Sequence, residues 1–152
     1  MHNCQKRKKK SAEIVSLLLE RQTDYCQSGW LHFQSSCYMI GKSSDQKTWE
    51  EARDNCRQSY ADLIVIGSEE EQDFIYKSSS AGLEAAKFWI GLRVEDGGWK
   101  WVNGKGLTDN YWLQPPTEEH HCAISTKQTN GWKSVSCDVK NAWICQKKAM
   151  SG

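Results

Sequence analysis

At 152 residues the chain is sized for one domain with a short arm, and it is long enough to bury a core. Eleven Gly and only 2 Pro, beside 8 Trp, 5 Tyr and 3 Phe, exclude a collagenous, low-complexity or disordered chain. The net charge of +1 is unevenly placed: residues 1–10 hold five Lys/Arg and no acid, which leaves 15 basic against 19 acidic residues elsewhere, so a basic nucleic-acid-binding body is excluded.

The longest apolar runs, Leu17–Leu19 and Leu63–Ile66, fall far short of the roughly 20 residues a spanning helix needs. Lys6–Lys10 followed by Ile14–Leu19 imitates a signal peptide. The apolar part is too short, however, and Glu20 and Arg21 stand where small residues would mark cleavage. The cysteines point outward nonetheless. Six of the seven, Cys26, Cys37, Cys56, Cys122, Cys137 and Cys145, lie in the body, and Cys4 lies in the arm. No two form a C-x-x-C pair, which argues against a zinc ribbon or a thioredoxin-type site. Six half-cystines and one spare suit an oxidising compartment. The expectation is therefore a domain on the extracellular face of the plasma membrane or secreted, seen here as a fragment or a splice form without its membrane span.

Residues 1–25 read as a basic arm and a short helical neck, and 26–148 as the domain. Ser11 can cap a helix that carries Ile14, Val15, Leu18 and Leu19 on one side and ends near Gln22–Thr23. So short a helix needs a partner, either the body or the same helix of a second copy. Cys4 is an interchain disulfide of such a homodimer or a free thiol.

In the body, Trp30–Phe33 and Cys37–Ile40 read as two short strands. Asp45 or Thr48 then caps a helix with Trp49, Ala52 and Cys56 on one face. Ala61–Ile66 is a buried strand-like run. Ser68–Glu71 matches a capping box before a second helix that faces Phe74 and Ile75 to the core and closes at Ser78–Gly82. From Phe88–Leu92 onward the pattern is strands: Trp99–Val102 before an Asn103-Gly104 turn, Cys122–Thr126 and Trp132–Cys137 around Asn130-Gly131, and Ala142–Gln146. Gly106–His121 is a long irregular stretch holding both prolines. Two helices followed by strands make an α+β domain.

These segments resemble a C-type lectin-like domain of the long form. The resemblance is carried in order by Cys26…Gly29-Trp30…Phe33…Ser36-Cys37-Tyr38, Trp49-Glu50-Glu51-Ala52…Cys56, Ala61-Asp62-Leu63…Ile66, Trp89-Ile90-Gly91-Leu92, Trp99-Lys100-Trp101-Val102, Cys122, Trp132…Cys137 and Trp143-Ile144-Cys145. It covers residues 26–147 and is closest in flavour to the C-terminal domain of vertebrate type II membrane lectin receptors of immune cells. It implies a double-loop fold of two helices and small antiparallel sheets. It also implies disulfides Cys26–Cys37, Cys56–Cys145 and Cys122–Cys137, where sequence alone leaves fifteen pairings.

The resemblance sharpens the site. Calcium takes six to eight oxygen ligands. Calcium-dependent members of the family supply them from a Glu-Pro-Asn or Gln-Pro-Asp triplet, an acid just before the fourth cysteine, and an Asn-Asp pair after a Trp. This sequence has Gln114-Pro115-Pro116, His120 two residues before Cys122, and Lys133-Ser134 after Trp132. The implied reading is a degenerate calcium site, no metal and no cofactor. A protein or glycan on a cell surface would bind through Gly106–His121 and Asn130–Ser136, with Tyr111, Trp112, Gln114, Glu118, His120, Trp132 and Lys133 as the ligand-binding set. Trp112 and Trp132 are the candidate exposed aromatics, while Trp30, Trp89, Trp99, Trp101 and Trp143 read as core. The alternative is a calcium-dependent lectin with a site rearranged onto Gln114, Glu118 or Glu119 and backbone carbonyls.

Other chemistry is weaker. His120-His121 beside Glu118 and Glu119 offers metal-type ligands, but adjacent strand residues point to opposite faces. Gly98…Gly104-Lys105 has five intervening residues and Gly106 where a phosphate loop needs four and Ser/Thr. There is no G-x-S-x-G, and no body cysteine is free to be a nucleophile if all six pair. The reading is not an enzyme.

Overall fold

A computed structural model describes residues 24–42, 44–78, 87–107, 121–126 and 131–151. The neck with Cys4, the close of the second helix beyond Ser78, and residues 108–120 and 127–130 lie outside the described residues.

Helix α1 spans Trp49–Gln58, and Thr48 rather than Asp45 starts it. The Thr48 hydroxyl accepts from Glu51 N–H at 3.3 Å, and the Thr48 N–H donates back to Glu51 Oε1 at 3.0 Å. This reciprocal pair satisfies two orphan donors of the first turn. Trp49, Ala52 and Cys56 are buried on one face, as their spacing requires. Tyr60 ends the helix in the left-handed region, with φ +59°.

Helix α2 spans Glu69–Ser78. Ser68 caps it by accepting from Glu71 N–H at 3.1 Å. The Glu71 carboxylate does not return to Ser68. It accepts from Gly67 N–H at 2.9 Å, from Gln146 Nε2 at 2.7 Å and from the Tyr38 hydroxyl. Three donors compensate the burial of this charge. Ile75 is buried; Phe74 is half-buried against the Tyr38 ring, 5.1 Å between centroids.

The strands are β1 (Leu31–Phe33), β2 (Ser36–Ile40), β3 (Asp62–Leu63), β4 (Lys87–Glu95), β5 (Gly98–Trp101), β6 (Cys122–Thr126), β7 (Gly131–Val135) and β8 (Ala142–Lys148). The chain is α+β and forms two compact units, whose described parts are residues 24–37 with 148–151, and residues 38–42, 44–78, 87–107, 121–126 and 131–147. The smaller holds β1, the start of β2, the Cys26–Cys37 disulfide and a Tyr25–Met150 bridge.

In the larger unit the strand order is β2-β8-β4-β6-β7, with β3 on β8 and β5 on β4. The pairs β3–β8, β4–β5, β4–β6 and β6–β7 are antiparallel as expected. β4 and β8 run parallel, Phe88 opposite Ala142 and Trp89 opposite Trp143, because the chain travels through β5–β7 before it returns. Disulfide Cys56–Cys145 ties α1 to β8 across 89 residues, and Cys122–Cys137 ties β6 to the end of β7 across 15. Closing loops of these lengths stabilises by about 4–5 and about 3 kcal/mol.

The core is aromatic. Trp49, Trp89 and Trp132 are fully buried, and Trp101 and Trp143 nearly so. Trp30 and Trp99, expected in the core, are only half-buried. Gly91 sits where strands cross closely: a Cβ there would lie 2.8 Å from Leu63 O and 2.9 Å from Ile64 O. Its N–H donates to Ile64 O at 2.8 Å and its carbonyl accepts from Val102 N–H at 2.8 Å, so it joins β4 to the chain after β3 and after β5.

Candidate functional site

Strand β7 carries the described part of the site. Its alternation sends Trp132 and Ser134 inward and Lys133 outward. Trp132 pairs across the ladder with Ser125, Lys133 with Ile124 and Ser134 with Ala123. The expectation of an exposed Trp132 is corrected here: the residue is 0% exposed. Its Nε1–H donates to Gln72 Oε1 at 2.9 Å, and its ring meets Trp101 edge-on at 5.3 Å. The Gln72 amide in turn donates to Ser125 Oγ at 3.4 Å. α2 and β5 therefore lock Trp132 from within, and that lock sets the face on which the exposed Lys133 ammonium stands.

The next position, Ser134, is 9% exposed and offers a single neutral hydroxyl. The base of the long segment is pinned at its C-terminal end. His121 is exposed, its carbonyl accepts from Val94 N–H at 2.8 Å, and the next residue is the bridged Cys122. The Cys137 carbonyl accepts from Trp49 N–H at 3.2 Å, so the disulfide is anchored to the start of α1. Tyr111, Trp112, Gln114, Glu118 and His120, the remaining expected ligand-binding residues, lie outside the described residues, as do Pro116 and Glu119.

Charge near this framework is mostly paired. The Arg93 guanidinium sits 4.4 Å from the Trp49 ring and bonds Glu50, a stacked arrangement suited to arginine. Arg53 grips both oxygens of Asp62 at 3.1 and 3.2 Å. Glu51 is held below the usual carboxylate range, first by the Thr48 N–H and then by the Thr48 hydroxyl. Sequence reading missed Gln72 as the partner of Trp132. The only available signal was its place one residue after Glu71, on the side of α2 that includes Ile75.

The family model described as Lectin C-type domain matches residues 45–147. The chain belongs to the C-type lectin domain family. This C-type lectin is 36% identical over 137 residues to asialoglycoprotein receptor 2 of Mus musculus, covering 83% of this chain and 43% of that protein. Its fold matches the mouse scavenger receptor C-type lectin carbohydrate-recognition domain with a TM-score of 0.73 at 26% identity, over 84% of this chain and 99% of that one. It matches a calcium-independent type II antifreeze protein equally well, TM-score 0.73 at 25% identity, over 84% and 97%. The lectin chain spans 34–46% of the length of the first curated relatives it matches. The three disulfides implied by the resemblance are those of the structure.

Proposed function

We propose that this C-type lectin domain is a non-enzymatic extracellular recognition module. It binds a cell-surface protein or glycan through its long-loop face, without calcium at the family's principal site. Lys133 carries the reading. A cationic side chain projects from β7 where a calcium-dependent site needs an amide oxygen, and like charges in one site repel. Ser134 adds one neutral hydroxyl and Pro116 has no side-chain polar atom, whereas calcium needs six to eight oxygens rich in carboxylate. The donor set does not fit the ion.

The recognition face comprises Tyr111, Trp112, Gln114, Glu118, His120 and Lys133, with Trp132 acting from beneath rather than by contact. The name of the mouse relative, an asialoglycoprotein receptor, supports a glycan as one class of ligand. The calcium-independent antifreeze protein supports use of this scaffold without the ion. Three disulfides suit an extracellular or secreted setting. Among the described residues no helix is long and apolar enough to cross a membrane. Residues 1–25 serve as the neck of a homodimer through Cys4 and the Ile14–Leu19 face.

Calorimetric titration of calcium into the oxidised full chain tests the reading. The expected result is no saturable heat up to several times the roughly 0.1–1 mM typical of extracellular calcium modules. Saturable binding in that range that is strengthened by the paired change Lys133→Asn, Ser134→Asp would place calcium at this site and overturn it.

A further inference from the structure

Away from β7, the segment Val65–Gly67 and the turn after β5 line a cleft of about 570 Å³, within the range of small-ligand sites. Among the described residues, Val65, Ile66, Trp101 and Leu107 supply its apolar side chains, and Asn103 and Lys105 its polar ones. Both walls are fixed by hydrogen bonds. Val65 N–H donates to Gln146 Oε1 at 2.9 Å and Gly67 N–H to Glu71 Oε1 at 2.9 Å. Across the cleft, Trp101 N–H donates to Lys105 O at 2.9 Å and Gly104 N–H to Trp101 O at 2.8 Å. A site built this way needs little reorganisation to accept a ligand.

The charge of the lining is one-sided. Among the described residues Lys105 is the only charged one in the lining, is exposed, and has no ion-pair partner. The neighbouring acid, Glu71, does not line the cleft, and its carboxylate is already engaged by Tyr38, Gln146 and Gly67. Asn103 Oδ1 accepts from Lys105 N–H at 3.0 Å, which leaves its amide NH2 as a donor toward a ligand acceptor.

We propose that this cleft binds a small amphipathic anion. Its carboxylate pairs with Lys105 and the Asn103 amide, and its apolar tail lies against Val65, Ile66 and Leu107. The site uses neither Lys133 nor calcium, so it stands independently of the function proposed above.

Octanoate titrated into the oxidised full chain, followed by amide NMR, is the test, with octyl glucoside, whose tail is one carbon longer, as the neutral probe. Octanoate is expected to saturate, with shifts concentrated at residues 65–67 and 101–107, and to bind about tenfold more tightly than octyl glucoside. Lys105→Ala removes that advantage and leaves octyl glucoside unchanged. Gly106→Phe blocks both probes; its Cβ starts with no atom within 4 Å and its φ is not left-handed. Lys133→Glu leaves octanoate binding intact. No saturable shift up to about 10 mM, equal binding of the two probes, an inert Lys105→Ala, or loss in Lys133→Glu overturns the assignment.

Discussion

Replacing Trp132 with Phe removes one hydrogen-bond donor at the centre of the α2–β7 packing. The Nε1–H of Trp132 is bonded to Gln72 Oε1 at 2.9 Å, and Gln72 is only 2% exposed, so water does not replace the lost donor. Removing one partner from a buried hydrogen-bonded group costs about 1–3 kcal/mol. Contracting the ring beside Trp101 adds about 1 kcal/mol through the small cavity it leaves. The sum, roughly 2–4 kcal/mol, corresponds to a fall in melting temperature of about 2–4 °C per kcal/mol for a chain of this size. Trp143 supplies the control: it is also buried, but its Nε1 has no hydrogen-bond partner among the described residues. Trp143→Phe therefore loses packing and part of the contact with the Lys47 ammonium 5.6 Å from its ring, but no hydrogen bond, and costs about 1–3 kcal/mol less than Trp132→Phe. Calorimetric melting of the two oxidised variants measures the difference. Equal losses would refute the claim that the Gln72 bond holds Trp132, and with it the account of how Lys133 is oriented.

Gly91→Ala drives a methyl to within 2.8–2.9 Å of the Leu63 and Ile64 carbonyls and costs about 1–3 kcal/mol, read as a lower melting temperature with disulfides intact. Tyr60→Gly has the opposite sign: Tyr60 is 93% exposed at φ +59°, so relief of left-handed strain outweighs the lost contacts and stabilises by about 1 kcal/mol in chemical denaturation. The depressed folded-state pKa of Glu51 stabilises the protein above the ordinary value of 4.5, and this contribution disappears as pH falls through the lower folded value. The stability gap between the wild type and Glu51→Ala, followed by urea titration, should accordingly narrow below pH 4.5 and not above it.

Local rules made much of the fold legible. Thr48 and Glu51 sit three apart, the spacing of a capping box, yet the sequence left the cap open between Asp45 and Thr48 and the reciprocal pair came from the structure. The Trp49, Ala52 and Cys56 face was equally local. The disulfides came from family resemblance, since six cysteines by themselves leave the pairing open. What sequence missed was long-range. The Ser68–Glu71 pattern promised a local carboxylate, but Glu71 meets Tyr38, 33 residues earlier, and Gln146, 75 residues later. Alternation along β7 separates Trp132 from Lys133, but only the packing of Gln72 and Trp101 decides which side is inside. The Asp96-Gly97 turn joins β4 to β5 with φ of +53° and +83°, a hairpin dipeptide that the sequence carries ahead of Asn103-Gly104.

A glycan-array screen of the oxidised full chain, run in calcium and again in chelator, tests the calcium-free recognition face most directly. The account predicts the same outcome in both conditions: a shared set of bound glycans, or none, with a protein as the ligand. Glycan binding that appears in calcium and vanishes in chelator would contradict it.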